Sequence, residues 1–239
     1  MNAYLPVCFG SQARSHRKVA SAFIGYDMAQ KPRTSVYVDG YNLYYGSLKN
    51  TQYKWLNILN LCQIYLPSND ITSIKYFTAK ISARPNDPQQ PARQNAYFRA
   101  LETITELEII YGHYLTHTVT ARLANPPLIG SKYANIIKTE EKGSDVNLAT
   151  HLLHDAHLNK FDVAVVISND SDLLMPIKLV RSDLGKIVGI LNPQKKPSRA
   201  LLPHTNFMKQ IRSGPLSASQ FPNQIVDAAG NQITKPATW

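Results

Sequence analysis

The sequence predicts an α/β fold, a doubly wound parallel sheet with helices on both faces. Three observations carry this. β-prone and helix-periodic segments alternate along residues 35–191. Two β-prone runs, SVYV at 35–38 and VAVVI at 163–167, stop in turns rich in aspartate: Asp39 after the first, Asp170 and Asp172 after the second. The second run is apolar or small throughout, as in a strand buried on both faces. The carboxyl ends of such strands are where open α/β sheets bind ligands.

A chain of 239 residues with 44% hydrophobic side chains can bury a full core without staples. Cys8 and Cys62 form neither a CxxC pair nor a zinc spacing, so no disulfide is expected, and a reducing, cytoplasmic compartment fits. Lys and Arg number 26 against 16 acids, a net charge of +10, which favours a polyanionic partner. Charge alone is equally met by an ordinary basic surface. No apolar run approaches the roughly 18 residues that a membrane span needs.

In order, residues 1–33 hold one acid, Asp27, and no sustained periodicity, and read as a flexible leader. They lack the apolar stretch of about 7–15 residues of a secretory signal. Met28, just before the first strand, is an alternative start. The folded domain is expected over 34–206, with 207–239 a polar tail packed on or beside it. After Asp39, helical spacing through Trp55, Leu56, Leu59, Cys62 and Leu66 ends at Pro67. A strand is expected at 71–81, a polar loop at 83–91, a helix at 93–107 and a third strand at 108–115.

Residues 116–140, with Asn125-Pro126-Pro127 and Gly130, read either as a basic, aromatic substrate flap carrying Lys132, Tyr133 and Lys138 or as an irregular hairpin covering a sheet edge. Ser144 then fits an N-cap, with Asp145 in the first turn of a helix whose apolar stripe is Val146, Ala149, Leu152, Leu153 and Ala156. The helix dipole alone would also favour an acid at Asp145. His151, His154 and His157 lie mostly off that stripe and read as a solvated face, since no partners at zinc-ligand spacing accompany them. Beyond the 163–167 strand, a helix at 173–184 tolerates Pro176 near its start and ends at Gly185. A fifth strand at 186–191 leads into Lys195, Lys196 and Arg199, which are placed on the same rim as the aspartates.

On this topology Asp39, Asp145, Asp170 and Asp172 converge on one rim. Clustered carboxylates must take up protons or hold cations. Mg2+ or Mn2+ suits an all-oxygen set, and such a site serves phosphoryl transfer to water. Tyr41, Tyr44 and Tyr45 read equally as base-stacking platforms or as core.

The motifs VDGYN (38–42), KGSDVNLATHLLHDA (142–156) and VVISNDSDLLMPI (165–177) closely resemble the NYN-domain proteins, a branch of the PIN-like nucleases that includes LabA-like bacterial proteins. The resemblance runs over about 34–239, the size of one domain, and includes the tail LSASQFPNQIVDAAGNQITKPATW. It implies a Rossmann-like sheet and metal-dependent RNA cleavage. It implies Asp39, Asp145 and Asp170 as metal ligands, Asp172 as a fourth acid and Asn42 as a polar neighbour on the nucleic acid. Asn169 stands where these relatives commonly carry glycine, which leaves the acids intact and puts the turn conformation in question.

Three functions fit: a Mg2+- or Mn2+-dependent ribonuclease acting on single-stranded or structured RNA, a non-catalytic RNA- or protein-binding module of the same fold, and an acid-rim phosphatase. The phosphatase ranks last, because it resembles Asp-x-Asp at the first strand and Tyr41 stands two residues beyond Asp39.

Overall fold

The first strand, β1 (Arg33–Asp39), is buried from its second residue to its last. A strand can be so only with neighbours on both edges and helices on both faces. In this computed structural model, which describes residues 30–238, β1 lies between β2 (Asp70–Thr78) and β6 (Val163–Ile167). β3 (Leu107–Tyr111) extends the sheet beyond β2, while β7 (Ile187–Asn192) and β8 (Phe207–Gln210) extend it beyond β6. The order is β3-β2-β1-β6-β7-β8, and every neighbouring pair is parallel. The chain winds outward from β1, returns to the centre and winds outward the other way, so the reversal falls between β1 and β6.

Strand alternation divides the core. Val36, Val38, Ile74, Tyr76, Val165 and Ile167 face α2 (Ile58–Tyr65) and α3 (Gln90–Leu101). Tyr37, Phe77, Ala164 and Val166 face α4 (Ser144–His157) and α5 (Leu174–Ser182). A one-turn α1 (Gly40–Leu43) follows β1 directly and passes into a π-helical turn at Tyr44–Leu48.

Several expectations are corrected. The strand expected at 108–115 breaks at Gly112. β3 stops at Tyr111, and β4 (His113–Arg122) pairs antiparallel with β5 (Tyr133–Lys142) along its whole length. The stretch 116–140 is therefore a regular hairpin, outside the central sheet and mostly exposed. The segment from Phe207 begins with the sixth sheet strand, not a polar tail. Beyond it, the chain fastens around Trp55, whose indole N–H donates to the Pro222 carbonyl at 2.9 Å and whose own carbonyl accepts from Phe221 at 2.9 Å. α3 ends at Leu101, short of residue 107.

At the start of α4 the cap is Gly143, at φ +101°, a left-handed conformation that suits glycine. Ser144 is the first helical residue, and its hydroxyl donates to Glu141 Oε1 at 2.6 Å. Val146 is exposed and Leu148 takes the buried position. His154 and His157 are exposed as expected, but His151 is half-buried, its Nδ1 3.1 Å from Lys75 Nζ. The leader and Met28 lie outside the described residues, apart from positions 30–33. Among the described residues no helix is long and apolar enough to cross a membrane.

Candidate functional site

The chain reversal between β1 and β6 is knitted together by short polar side chains. Asp39, the last residue of β1, is 4% exposed. Its Oδ1 accepts the Asn42 N–H at 2.9 Å and so caps α1, and its Oδ2 accepts the Ser168 hydroxyl at 2.9 Å. Ser168 stands beside it because Val38 pairs with Ile167 in the parallel ladder. The same Ser168 oxygen accepts the Asp170 N–H at 3.1 Å, and Asp170 Oδ1 accepts the Asp172 N–H at 3.0 Å, capping a short 3-10 turn at Ser171–Leu173. Asn169 bridges to both sides. Its N–H donates to Asn42 Oδ1 at 3.2 Å, its side-chain NH2 to the Lys196 carbonyl at 3.0 Å, and its Oδ1 accepts the Ser198 N–H at 2.7 Å. Asn169 has no positive φ, so the turn does not need the freedom of the glycine common at this position.

Gly40 has a different reason to be glycine. A Cβ there would stand 2.8 Å from the Phe77 carbonyl oxygen and 2.9 Å from the Tyr76 hydroxyl. Its absence lets α1 begin directly over the end of β2 and keeps Asp39 at the mouth of the sheet.

The electrostatics follow from burial and like charge. Burial pushes the Asp39 carboxyl up to about 6; its bonds from Asn42 and Ser168 oppose the rise, and the charges of Asp145 and Asp170 add to it. Asp145, exposed in the first turn of α4, is also raised, first by desolvation and then by Asp170, Glu141 and Asp172. The structure thus brings all four predicted aspartates into one field. None of the four is ion-paired among the described residues.

Among the described residues no three His, Cys, Asp or Glu side chains are grouped closely enough to hold a metal ion by themselves. The donor set nevertheless fits a hard, water-rich cation. Mg2+ is commonly bound through one or two carboxylates, with waters and substrate oxygens completing the shell. The site offers carboxylates only, two of them raised by crowding and burial.

Next to the acids lies an open pocket of about 640 Å³, whose lining includes Asn42, Tyr45, Asn169, Asp170, Lys195 and Lys196. Two predicted cations and two predicted site residues therefore share one surface. Arg199 is exposed and does not line it. Tyr41 is committed to the scaffold, since its hydroxyl donates to the Ala79 carbonyl at 3.2 Å and accepts the Ala79 N–H at 3.1 Å. Tyr44 is half-buried against the core, and Tyr45 is 57% exposed. Sequence reasoning missed Ser168, Gln194, whose side-chain NH2 reaches Asn42 Oδ1 at 3.4 Å, and Glu141. Ser168 was findable as the first polar residue after a wholly apolar strand, but its partner became visible only with the β1–β6 register.

The family model of the NYN domain matches residues 33–208. Members of that family are typically nucleases, generally bind RNA and are typically dependent on divalent metal. A relative from Pseudomonas putida, 6-hydroxy-3-succinoylpyridine 3-monooxygenase HspA, is 34% identical over 87% of this chain and 75% of its own length. A crystal structure of a protein of unknown function from Vibrio parahaemolyticus superposes with a TM-score of 0.52, covering 77% of this chain and 96% of that one. At 14% identity it shows the fold alone.

Proposed function

The chain belongs to the NYN domain family, and on that premise we propose that it is a divalent-metal-dependent ribonuclease. One observation carries the reading: four carboxylates without cation partners among the described residues gather at the sheet's reversal, directly beside a lysine-lined open pocket. Asp39, Asp145 and Asp170 would hold Mg2+ or Mn2+, with Asp172 adding negative charge next to Asp145. The bound ion would supply an activated water and a counter-charge for the leaving oxygen. Lys195 and Lys196 take the flanking phosphates as point charges, so they bind backbone without reading sequence. Ser168 and Asn42 fix the Asp39 carboxylate, and Asn169 ties the acid turn to the lysine loop, so hydrogen bonds join both halves of the site.

The test is incubation of wild type and Asp170→Asn with labelled single-stranded RNA and DNA, in Mn2+ or in EDTA. The expected result is metal-dependent RNA cleavage that falls by orders of magnitude in the variant, while RNA binding survives or tightens. Cleavage at wild-type rate in the variant would sink the site assignment. RNA affinity without metal-dependent cleavage by the wild type would leave the binding-module reading. A second reading has one specific support, the name of the 34% identical relative. Under it, the chain acts on a small aromatic substrate, and 6-hydroxy-3-succinoylpyridine would be consumed in the presence of dioxygen and a reductant, with no effect of RNA.

A further inference from the structure

Beside the acid rim lies a second pocket, of about 240 Å³, which the reading above does not use. It is lined by α1 and its π-helical turn, the end of β2 and α3 as far as Phe98. Its walls are aromatic, with Tyr44, Tyr76, Phe98 and Tyr114 among them. Lys54, Arg84 and Arg93 also line it, against one acid, Asp87, which is paired with Arg93. Tyr45 lines both this pocket and the open one, so its exposed ring is shared by the aromatic chamber and the surface that holds Asp170 and the lysines.

Tyr76 points to a ligand. It is 5% exposed and lines the chamber, and its hydroxyl makes no hydrogen bond among the described residues. The ring is buried but its hydroxyl is not sealed off, so it opens onto the chamber, where a polar edge of a bound ring could hydrogen-bond to it in place of water. The volume lies below the roughly 300 Å³ at which pockets for drug-sized ligands begin, which suits one ring system and excludes a stacked pair. Aromatic walls with surplus cations at their edges match a flat ring attached to an anionic chain.

We propose that this chamber takes one unstacked nucleobase of the strand whose neighbouring phosphate lies in the open pocket on the other side of Tyr45. It rests on the nuclease reading, which supplies the strand. The aromatic walls hold any base, and the Tyr76 hydroxyl distinguishes base edges, so cutting is expected to favour certain bases next to the scissile bond.

The experiment measures binding to the full chain in EDTA, by calorimetry, of the four nucleoside monophosphates, ribose 5-phosphate and nicotinate. Nucleotides are expected to bind where ribose 5-phosphate does not. Tyr44→Ala should weaken them by about 5- to 150-fold, the loss of one base–aromatic stack. Tyr76→Phe keeps the ring packing and should change the preference among the four bases by at least about threefold, because only the hydroxyl is gone. Nucleotides binding no better than ribose 5-phosphate, nicotinate binding as tightly as nucleotides, or an unchanged base preference in Tyr76→Phe each overturns the assignment. Base-dependent nucleotide binding by a protein that cuts no RNA would uphold the chamber and remove the nuclease reading, so the two fail separately.

Discussion

Two carboxylates are buried in this fold to nearly the same degree, Asp39 at 4% and Asp155 at 2% exposure, and they are treated in opposite ways. Asp155, on the inner face of α4, receives Lys75 Nζ at 2.5 Å, Lys160 Nζ at 2.9 Å and the Tyr37 hydroxyl at 3.0 Å. Burial pushes its carboxyl up, yet these three donors outweigh burial and hold it below the ordinary carboxylate range. Asp39 has two neutral donors and two like charges, and is driven up to about 6. Of these two buried acids, the protein neutralises Asp155 and leaves Asp39 without a cation among the described residues. Negative charge left uncompensated at the chain reversal costs stability, and a bound cation would recover it.

Breaking the neutralised site should have the largest effect. Asp155→Asn leaves Lys75 buried without its counter-charge, so stability should fall by about 3–5 kcal/mol in urea denaturation at pH 7. A loss under about 1 kcal/mol would mean that the pair contributes little beyond packing. Asp39→Asn should go the other way. For the wild type in EDTA, the folded Asp39 binds its proton more tightly than the unfolded one. Stability from this group therefore declines as pH rises from about 4 to about 6 and stays lower above that. Removing the charge should raise stability at pH 7.5 by up to roughly 3 kcal/mol, at about 1.4 kcal/mol for each tenfold change in proton affinity. Asp155 has the opposite sign, since its contribution is present above pH about 4 and is lost as pH falls through its lower folded value. Denaturation curves of the two variants from pH 4 to 8 should therefore diverge from wild type in opposite directions.

A smaller effect is expected from loading the uncompensated site. Mg2+ or Mn2+ at a hundred times its Kd should add about 2.7 kcal/mol, seen as a rise in melting temperature that Asp145→Asn blunts. No shift at millimolar metal counts against cation binding at these acids. The smallest effect concerns the cations opposite them. Replacing Lys195, Lys196 and Arg199 with Ala should weaken RNA binding evenly across sequences and flatten its salt slope by up to about one per lost contact. Because Arg199 does not line the pocket, the Lys195 and Lys196 pair should account for nearly all of it.

The contrast between Asp39 and Asp155 also marks what was legible in the sequence. Asp39 was readable because it closes a β-prone run and Asp170 because it stands in the turn after one, and the buried pattern of β6 is what its five apolar or small residues spell out. Asp155 carried no signal. It sits on the buried side of α4 beside Leu152 and Ala156, where a polar residue looks like an interruption until Lys75 arrives from β2. The β4–β5 hairpin was hidden for a different reason. Both its faces are largely exposed, so the period-two apolar pattern that marks a half-buried strand never forms. β8 is four residues long, FMKQ, and takes its strand identity from pairing with β7. Sequence pattern reports contacts with the core; contacts between polar groups, and strands made by their neighbours alone, escape it.

The winding order has a consequence for how the protein comes into being. β1 meets β2 early, but its other edge waits for β6, about 130 residues later in the chain, which at 5–20 residues per second of synthesis is a delay on the order of ten seconds. Through that interval a nascent chain presents the open edge of its central strand, the kind of surface on which extended segments of other chains add. Asp39 lacks Ser168, Asp170 and the lysine loop for the same time, so the ribosome-bound polypeptide has only half a site. Pairing of β6 with β1 thus completes the acid rim and covers the second edge of the central strand together.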